Sequence, residues 1–305
     1  MHNYKNGILI YNPCAGRLRG RRIGLVQRVA DVLAEAGHRI EPVPTKAAGD
    51  AARIAREAVA SGADVVISFG GDGTLNETAN GMIGSRTPLA TLPAGTANVL
   101  ARETRLGCDP LRAARSLGAL EPRRVAVGLL ETTDREPRHF LLMAGVGFDA
   151  HIVYNLNVPL KARIGQFAYW LSAFKEVARA QDEFDVEVNG STRRCSFALA
   201  SRVRNYAGWM TVARGASLFQ DEFEMVLFEG TSAARDYAWY LCAVMANRAA
   251  SAKGICFLRA SEVRFSGPQD TRVYVQIDGE YAGRLPARVS IVRDALTLLV
   301  PQNAV

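Results

Sequence analysis

The feature that most constrains this chain is a loop of three glycines and one aspartate, in the segment Phe69-Gly-Gly-Asp-Gly-Thr-Leu-Asn-Glu77. The apolar run before it, residues 63–68, predicts a buried strand, and the residues from Thr74 onward predict the start of a helix. Glycines at a strand-to-helix turn let backbone amides approach a ligand closely. The helix N-terminus adds N–H groups that suit a phosphate.

Asp72 is the unusual residue of this loop, because a carboxylate opposes the binding of a phosphate on its own. Its presence is explained if a divalent cation lies between the carboxylate and the phosphate. The loop therefore predicts a complex of a metal ion with a nucleotide, and Mg²⁺ is the cation we expect. The expected nucleotide-binding residues of the loop are Gly70, Gly71, Asp72, Gly73, Thr74, Leu75 and Asn76.

The same loop resembles a known family signature. Gly70-Gly-Asp-Gly-Thr74 followed by Leu-Asn-Glu77 is similar to the signature of the diacylglycerol kinase catalytic domain, whose superfamily includes sphingosine, ceramide and bacterial lipid kinases. The resemblance implies ATP as the phosphate donor. NAD kinases and phosphofructokinases carry related loops, so the loop alone leaves the acceptor open.

Length and composition are those of a globular chain of two domains. The 305 residues exceed what one core usually organises, and 49% of them are hydrophobic and 22% charged. No apolar run reaches the roughly 18 residues of a membrane span, and the N-terminus lacks a signal-peptide pattern. The five scattered cysteines indicate free thiols in a reducing cytoplasm.

The net charge of +7 allows three kinds of partner: nucleic acid, an anionic membrane or an acidic substrate. Zinc-finger spacing and aromatic ribonucleoprotein motifs are missing, so we expect no nucleic-acid partner. An anionic leaflet attracts each basic residue by roughly 1 kcal/mol. Together with the family resemblance, this attraction favours a cytoplasmic enzyme that makes transient contact with the inner face of the membrane. The alternative is a basic protein surface that is only solvated. Relatives are often dimers, which leaves a homodimer open.

Strands alternate with helices as far as residue 127, which predicts a three-layer domain with a parallel sheet. Ligands bind beyond the carboxyl ends of such strands. The loops that begin at Asn12, Gly70 and Pro93 are therefore expected to form one nucleotide site.

The pattern after residue 127 predicts a mainly antiparallel, sandwich-like domain, with helical stretches at 160–180 and 232–247. We expect residues 1–127 to bind ATP and residues 128–295 to bind the lipid substrate. The resemblance implies that residues 296–305 return to the first domain.

Three further polar residues lie in the expected nucleotide site. Asn12 opens Asn-Pro-Cys-Ala-Gly16, where its amide could bind phosphate or cap the next helix; the resembling lipid kinases carry this Asn-Pro-x-x-Gly pattern. The resemblance also implies that Thr45 contacts the nucleotide and that Thr96 binds ATP. Ordinary turns and helix caps are the alternative interpretations.

The segment Ile277-Asp-Gly-Glu280 carries the candidate catalytic base. Phosphoryl transfer needs a carboxylate within reach of the acceptor hydroxyl. Alone, Asp-Gly is typical of a type I′ hairpin. The same motif carries the proposed base in members of the resembling family, so we expect Glu280, ahead of Asp278, to be catalytic together with Asp72.

The segment Ala216-Ser-Leu-Phe-Gln-Asp-Glu-Phe223 resembles the one that holds a structural Mg²⁺ in bacterial lipid kinases. The resemblance implies ligation by the Asp221 carboxylate and the carbonyls of Leu218 and Phe223, hard oxygen donors that suit this ion. Glu222 stands where the family has glycine. The alternative is a polar turn before a strand.

These observations predict an ATP-dependent lipid kinase that phosphorylates a hydroxyl of diacylglycerol or a related lipid. Two other functions stay open. One is a kinase of a soluble acceptor such as NAD. The other is a nucleotide-binding sensor without catalysis, which Glu222 and Val99 (Asp in many relatives) keep open.

Overall fold

The computed structural model describes residues 2–18, 24–147, 182–206, 210–229, 239–240, 243, 252–268 and 273–304. The chain forms two compact units, Met1–Ala126 with Arg293–Val305, and Val127–Val292. The helical stretch expected at 160–180 and most of that at 232–247 lie outside the described residues.

In its described residues, the first unit contains a parallel sheet and five α-helices. Its strands are β1 (Gly7–Tyr11), β2 (Ile40–Pro44), β3 (Val65–Gly70), β4 (Pro88–Pro93) and the end of β17 (Ala287–Val300). Its helices are α1 (Gly24–Glu35), α2 (Asp50–Ala60), α3 (Asp72–Asn80), α4 (Val99–Glu103) and α5 (Pro110–Ser116). The strand order is β2–β1–β3–β4–β17, and every pairing along it is parallel.

Apolar periodicity explains these elements. All six residues of β3 are buried, as expected for the central strand of a parallel sheet covered on both faces. Helix α1 buries Val26, Val29 and Leu33, which share one helical face. These side chains join the core of the first unit, where α1 packs beside α5.

Antiparallel strands make up most of the described part of the second unit. They are β5 (Glu121–Thr132, entering from the first unit), β6 (Arg138–Phe140), β7 (Met143–Gly147), β8 (Phe184–Val188), β9 (Ser191–Ser201), β10 (Asn205–Tyr206), β11 (Met210–Thr211), β12 (Phe223–Glu229), β13 (Ile255–Ala260), β14 (Glu262–Ser266), β15 (Tyr274–Ile277), β16 (Glu280–Arg284) and the start of β17.

Strand β9 organises this unit, since it pairs antiparallel with β7, β8 and β12. The main order is β16–β15–β7–β9–β8–β14–β17, and β13 extends the pairing from β12. Four fully buried phenylalanines anchor the core: Phe140, Phe184, Phe223 and Phe265. The predicted fold class is confirmed: an α/β first part with a parallel sheet and a mainly antiparallel, sandwich-like second part.

None of the helices in the described residues is both long enough and apolar enough to span a membrane.

Candidate active site

The loop after β1 is tied to the start of α3 through Asn12. The Asn12 backbone N–H donates to the Phe69 carbonyl at 3.2 Å, and its side-chain Nδ2 donates to Thr74 Oγ1 at 3.4 Å. Asn12 Oδ1 accepts from the Cys14 N–H at 2.8 Å. Asn12 therefore fixes the first loop beside the glycine-rich loop, as the carboxyl ends of neighbouring parallel strands allow.

The loops after β3 and β4 touch through two glycines. The Gly70 carbonyl accepts from the amides of Ala94 (2.8 Å) and Gly95 (3.1 Å). A Cβ atom at position 95 would lie 2.6 Å from the Cα of Gly71, closer than real Cβ contacts allow. Glycine is therefore required here for the two backbones to approach.

The loops after β1 and β2 belong to the same cluster. The Arg17 N–H donates to the Ala94 carbonyl at 3.0 Å, which links the loop after β1 to the loop after β4. The Gly49 N–H, after β2, donates to Glu77 Oε2 in α3 at 3.0 Å. The first unit thus brings four strand-to-helix loops together at one edge of its sheet, where doubly wound folds bind ligands.

Asp72 begins α3 and also caps α4. Its Oδ1 accepts from the Val99 N–H at 2.8 Å. Burial raises the pKa of the Asp72 carboxyl, and hydrogen bonds from the amides of Val99, Leu100 and Asn98 oppose that rise. The carboxylate therefore has a structural role in addition to the metal-linked role predicted for it.

The other predicted nucleotide residues differ in exposure. Thr96 is exposed and Thr45 is half-buried, with its N–H donating to the Tyr11 carbonyl at 2.9 Å. Leu75 and Asn76 are buried. The Asn76 Oδ1 accepts from Asn80 Nδ2 at 2.9 Å, inside α3. Their contacts with a nucleotide stay predictions.

Asn98 is a residue of this cluster to which no role was assigned from the sequence. It has left-handed backbone angles, with φ 47°. Its side chain and Gly95 exchange two hydrogen bonds of 2.9 Å, which hold the loop after β4 in shape. The residue type was the only available signal, because Asn tolerates left-handed angles more readily than most residues do.

In the second unit, Asp278 lies in the β15–β16 turn, and Glu280 follows the turn as the first residue of β16. Both central residues have positive φ, 49° at Asp278 and 83° at Gly279, as in the type I′ hairpin that the sequence indicates. The Asp278 carboxylate accepts three amide hydrogen bonds of 2.9 Å, from Leu141, Leu142 and Met143. Asp278 is therefore an anchor of this turn.

Glu280 lies in a more open environment. Its side chain is 43% exposed, and Oε2 pairs with Arg138 Nη2 at 3.2 Å. An exposed ion pair of this kind is weak and readily exchanged. Of the two carboxylates, Glu280 is the one with acceptor capacity to spare for a substrate.

The segment expected to hold a structural Mg²⁺ has other partners in this structure. The Leu218 carbonyl accepts from Arg202 Nη2 at 2.6 Å. Phe223 is fully buried at the start of β12. Its ring stacks on the ring of Phe140, with 5.7 Å between the ring centroids. Glu222 forms an ion pair with Arg259. Within the described part of the chain, no group of three or more His, Cys, Asp or Glu side chains is arranged to hold a metal ion.

The fold of this chain combines a parallel sheet, whose glycine loops converge, with an antiparallel sandwich-like unit. Two family descriptions match this chain. The diacylglycerol kinase catalytic domain matches residues 6–130, and the YegS C-terminal NAD kinase beta sandwich-like domain matches residues 143–300. The chain therefore belongs to the diacylglycerol kinase catalytic-domain family, in the branch that carries a YegS-type C-terminal domain.

Individual relatives agree with this assignment. A diacylglycerol kinase of Bacillus subtilis is 31% identical over 192 residues, 61% of this chain and 60% of that protein. A diacylglycerol kinase of Staphylococcus epidermidis is 25% identical over 305 residues, 98% of this chain and 93% of that protein. A Pseudomonas aeruginosa protein named "Probable lipid kinase YegS-like" is 37% identical over 174 residues, 55% of this chain and 56% of its own.

A solved structure shares the fold over the whole chain. The crystal structure of a diacylglycerol kinase from Bacillus anthracis has a TM-score of 0.78 and 22% identity, and the match covers 99% of each chain.

Proposed function

We propose that this protein is a lipid kinase that transfers the γ-phosphate of ATP to a hydroxyl of diacylglycerol or a related lipid. Membership of the diacylglycerol kinase family supports the reaction class. The observation that carries the proposal is the contact between Gly71 and Gly95. Two glycine loops approach there without side chains between them, and such loops present backbone amides to phosphates.

In this proposal the first unit binds ATP. The amides of Gly70 to Thr74, with the side chains of Asn12, Thr45 and Thr96, would contact the phosphates and the rest of the nucleotide. Bound Mg²⁺ would neutralise the β- and γ-phosphate oxygens. Mg²⁺ keeps several of its own waters, so a carboxylate that already accepts backbone amides, as Asp72 does, fits as an outer partner of the ion.

Glu280 is the proposed general base. As the lipid hydroxyl oxygen attacks the γ-phosphorus, its proton would pass to the Glu280 carboxylate, and ADP would leave with the electrons of the broken bond. Arg138 would orient the Glu280 carboxylate through their ion pair. Asp278 is the second candidate, and its three amide donors favour an anchoring role.

A surface near Glu280 supports contact with a membrane. Arg135 lies over the Tyr281 ring at 4.6 Å, and Arg284 lies over the Tyr274 ring at 5.5 Å. The Tyr274 ring is buried, whereas Tyr281 is part-exposed and both arginines are exposed. Exposed arginines with a part-exposed tyrosine suit the boundary between lipid headgroups and acyl chains. We therefore propose a cytoplasmic protein that binds the inner membrane face transiently through this basic and aromatic surface.

The test is phosphate transfer from labelled ATP with Mg²⁺ to a panel of lipids in mixed micelles, with NAD as a soluble acceptor in parallel. The proposal expects label in one lipid class. Label in NAD alone would identify the soluble-acceptor kinase. Tight ATP binding without transfer to any acceptor would identify the non-catalytic sensor.

A further inference from the structure

Arg202 is among the largest fully buried side chains in the described residues. It lies directly after β9, and its backbone N–H donates to the Leu142 carbonyl at 2.8 Å. Removing a guanidinium from water is costly unless hydrogen bonds and opposite charges compensate. The groups around Arg202 must therefore stabilise a buried positive charge.

Two carbonyls of one turn accept hydrogen bonds from this guanidinium. Nη2 donates to Leu218 at 2.6 Å and Nη1 to Gln220 at 3.1 Å. Burial lowers the pKa of Arg202 to about 10, and the negative charges of Asp221 and Asp278 oppose this change. Because an arginine side chain keeps its positive charge in proteins, the hydrogen-bonded guanidinium of Arg202 places that charge beside the turn.

The same turn contains the groups expected to hold a structural Mg²⁺. This ion demands near-octahedral oxygen coordination at about 2.0–2.1 Å. The Leu218 carbonyl already faces a guanidinium, and a metal ion bound to it would be repelled by the charge of Arg202. The expected donor set therefore does not fit a resident divalent cation.

We propose that Arg202 is the resident cation of this turn and that its guanidinium replaces the divalent metal ion expected at Leu218, Asp221 and Phe223. The guanidinium supplies what a structural cation would supply: it draws converging carbonyls together and places positive charge near Asp221. Since it is covalently attached, the turn keeps its cation when no free metal ion is present. This inference does not depend on the proposed kinase activity.

A second arginine holds the outer side of the same turn. Arg259 donates to the Gly215 carbonyl at 3.1 Å and to Gln220 Oε1 at 2.8 Å, and it pairs with Glu222. Glu222 is not among the described residues with positive φ, so the turn does not need glycine there. Two guanidiniums, one buried and one exposed, thus fix the segment that a metal ion would otherwise hold.

Arg202 also contacts the segment that anchors the candidate base. Its N–H binds the Leu142 carbonyl, while the Leu142 N–H binds the Asp278 carboxylate at 2.9 Å. The Asp278 charge in turn favours the protonated guanidinium. Arg202 therefore holds the 218–221 turn through its guanidinium and, through its backbone N–H, the segment that binds the β15–β16 turn.

The first test counts Mn²⁺ bound to the full chain without nucleotide, by electron paramagnetic resonance. Wild type is compared with Asp221→Asn, and Asp72→Asn is the control for metal bound in the first unit. The proposal expects Asp221→Asn to bind Mn²⁺ with the stoichiometry and affinity of wild type. A Mn²⁺ site that is present in wild type, lost in Asp221→Asn and kept in Asp72→Asn would overturn it.

The second test removes the inner guanidinium with Arg202→Met, and Arg259→Met is the matched control for the outer one. Thermal unfolding is measured in Mg²⁺ and in EDTA. We expect wild type and Arg259→Met each to have the same Tm in Mg²⁺ as in EDTA. Mg²⁺ should raise the Tm of Arg202→Met, and this rise should disappear in the double variant Arg202→Met/Asp221→Asn. A folded Arg202→Met variant with the same Tm in Mg²⁺ and in EDTA would contradict the proposal. If Arg202→Met does not fold, the Mn²⁺ comparison decides.

Discussion

The Asp72 carboxylate accepts a hydrogen bond of 2.8 Å from the Val99 N–H, and so the glycine-rich loop after β3 caps the helix that follows β4. A part-buried carboxylate in this position does two things. It links the loops after β3 and β4, and it places a negative charge at the edge of the sheet where the nucleotide is proposed to bind. These two roles can be separated by substitution.

Asp72→Asn should abolish phosphate transfer and leave the fold intact. Asn keeps an oxygen that can accept from Val99, so we expect a free energy of unfolding within about 1 kcal/mol of wild type. The substitution removes the negative charge that is proposed to complement Mg²⁺, so phosphate transfer should be lost. Urea unfolding and the transfer assay measure the two effects.

Asp109→Asn is the matched control for Asp72→Asn. Asp109 also caps a helix, accepting from the amides of Leu111 (2.9 Å) and Arg112 (3.3 Å), and has no proposed catalytic role. The Asp109→Asn variant should retain phosphate-transfer activity. Full activity in Asp72→Asn would show that this carboxylate acts only as a cap.

Gly95→Ala should weaken ATP binding by separating the two glycine loops. The added methyl group would lie 2.6 Å from the Gly71 Cα, and overpacking of this kind costs about 1–3 kcal/mol. Calorimetry of ATP binding measures the effect. Gly24→Ala is the control, since nothing lies within 4 Å of its Cβ position. Unchanged ATP affinity in Gly95→Ala would argue against the loop contact as part of the nucleotide site.

Asp278→Asn and Glu280→Gln should fail in different ways. Asp278 accepts three backbone amides, and a hydrogen bond to a charged group contributes about 1.5–3 kcal/mol. We therefore expect Asp278→Asn to lower the free energy of unfolding. Glu280→Gln loses one exposed ion pair, so its free energy of unfolding should be close to that of wild type. Its kcat should fall, because the proposed base is removed.

Glu262→Gln is the control for that loss of an exposed ion pair, because Glu262 pairs with Arg288 at 2.8 Å. It should keep its activity. A Glu280→Gln enzyme with wild-type kcat, beside a folded but inactive Asp278→Asn, would move the base to Asp278.

His38 should make the first unit less stable at mildly acidic pH. Its Nδ1 accepts from the Tyr4 N–H at 3.2 Å, and burial, with a smaller contribution from Lys5, lowers the pKa of His38 below 6.5. The unfolded chain therefore binds a proton more readily, so stability is lost as pH falls through 6.5 toward the lowered pKa.

The measurement for His38 is urea unfolding across this pH range, for wild type and His38→Gln. The difference in free energy of unfolding between the two should shrink as pH falls. A difference that stays constant would contradict the role assigned to the neutral imidazole.

Local patterns were sufficient to predict most of the first unit. The strand at Gly7–Tyr11 and the helix at Asp50–Ala60 follow from apolar periodicity and from glycines at their ends. The exact bounds depend on contacts that are distant in the sequence: β2 begins at Ile40, where its pairing with β1 starts, while His38 binds the Tyr4 backbone. Helix α4 starts at Val99, because Asn98 has left-handed angles.

Long-range contacts explain what the sequence could not predict. The apolar residues 140–146 do not form one continuous strand: the structure interrupts them at Leu141 and Leu142, whose amides bind Asp278. Nothing near residue 141 in the sequence indicates a partner near residue 278. The same is true of Arg202, which looks like the charged end of an apolar strand and is in fact fully buried.

The proposed function requires that the γ-phosphate of ATP reaches a lipid hydroxyl. To measure this transfer, the protein is incubated with Mg²⁺ and diacylglycerol micelles, using ATP labelled in its γ-phosphate or, separately, in its α-phosphate. We expect γ-label in the extracted lipid and none of the α-label. The absence of γ-label from every lipid tested, with ATP bound, would contradict the proposed function.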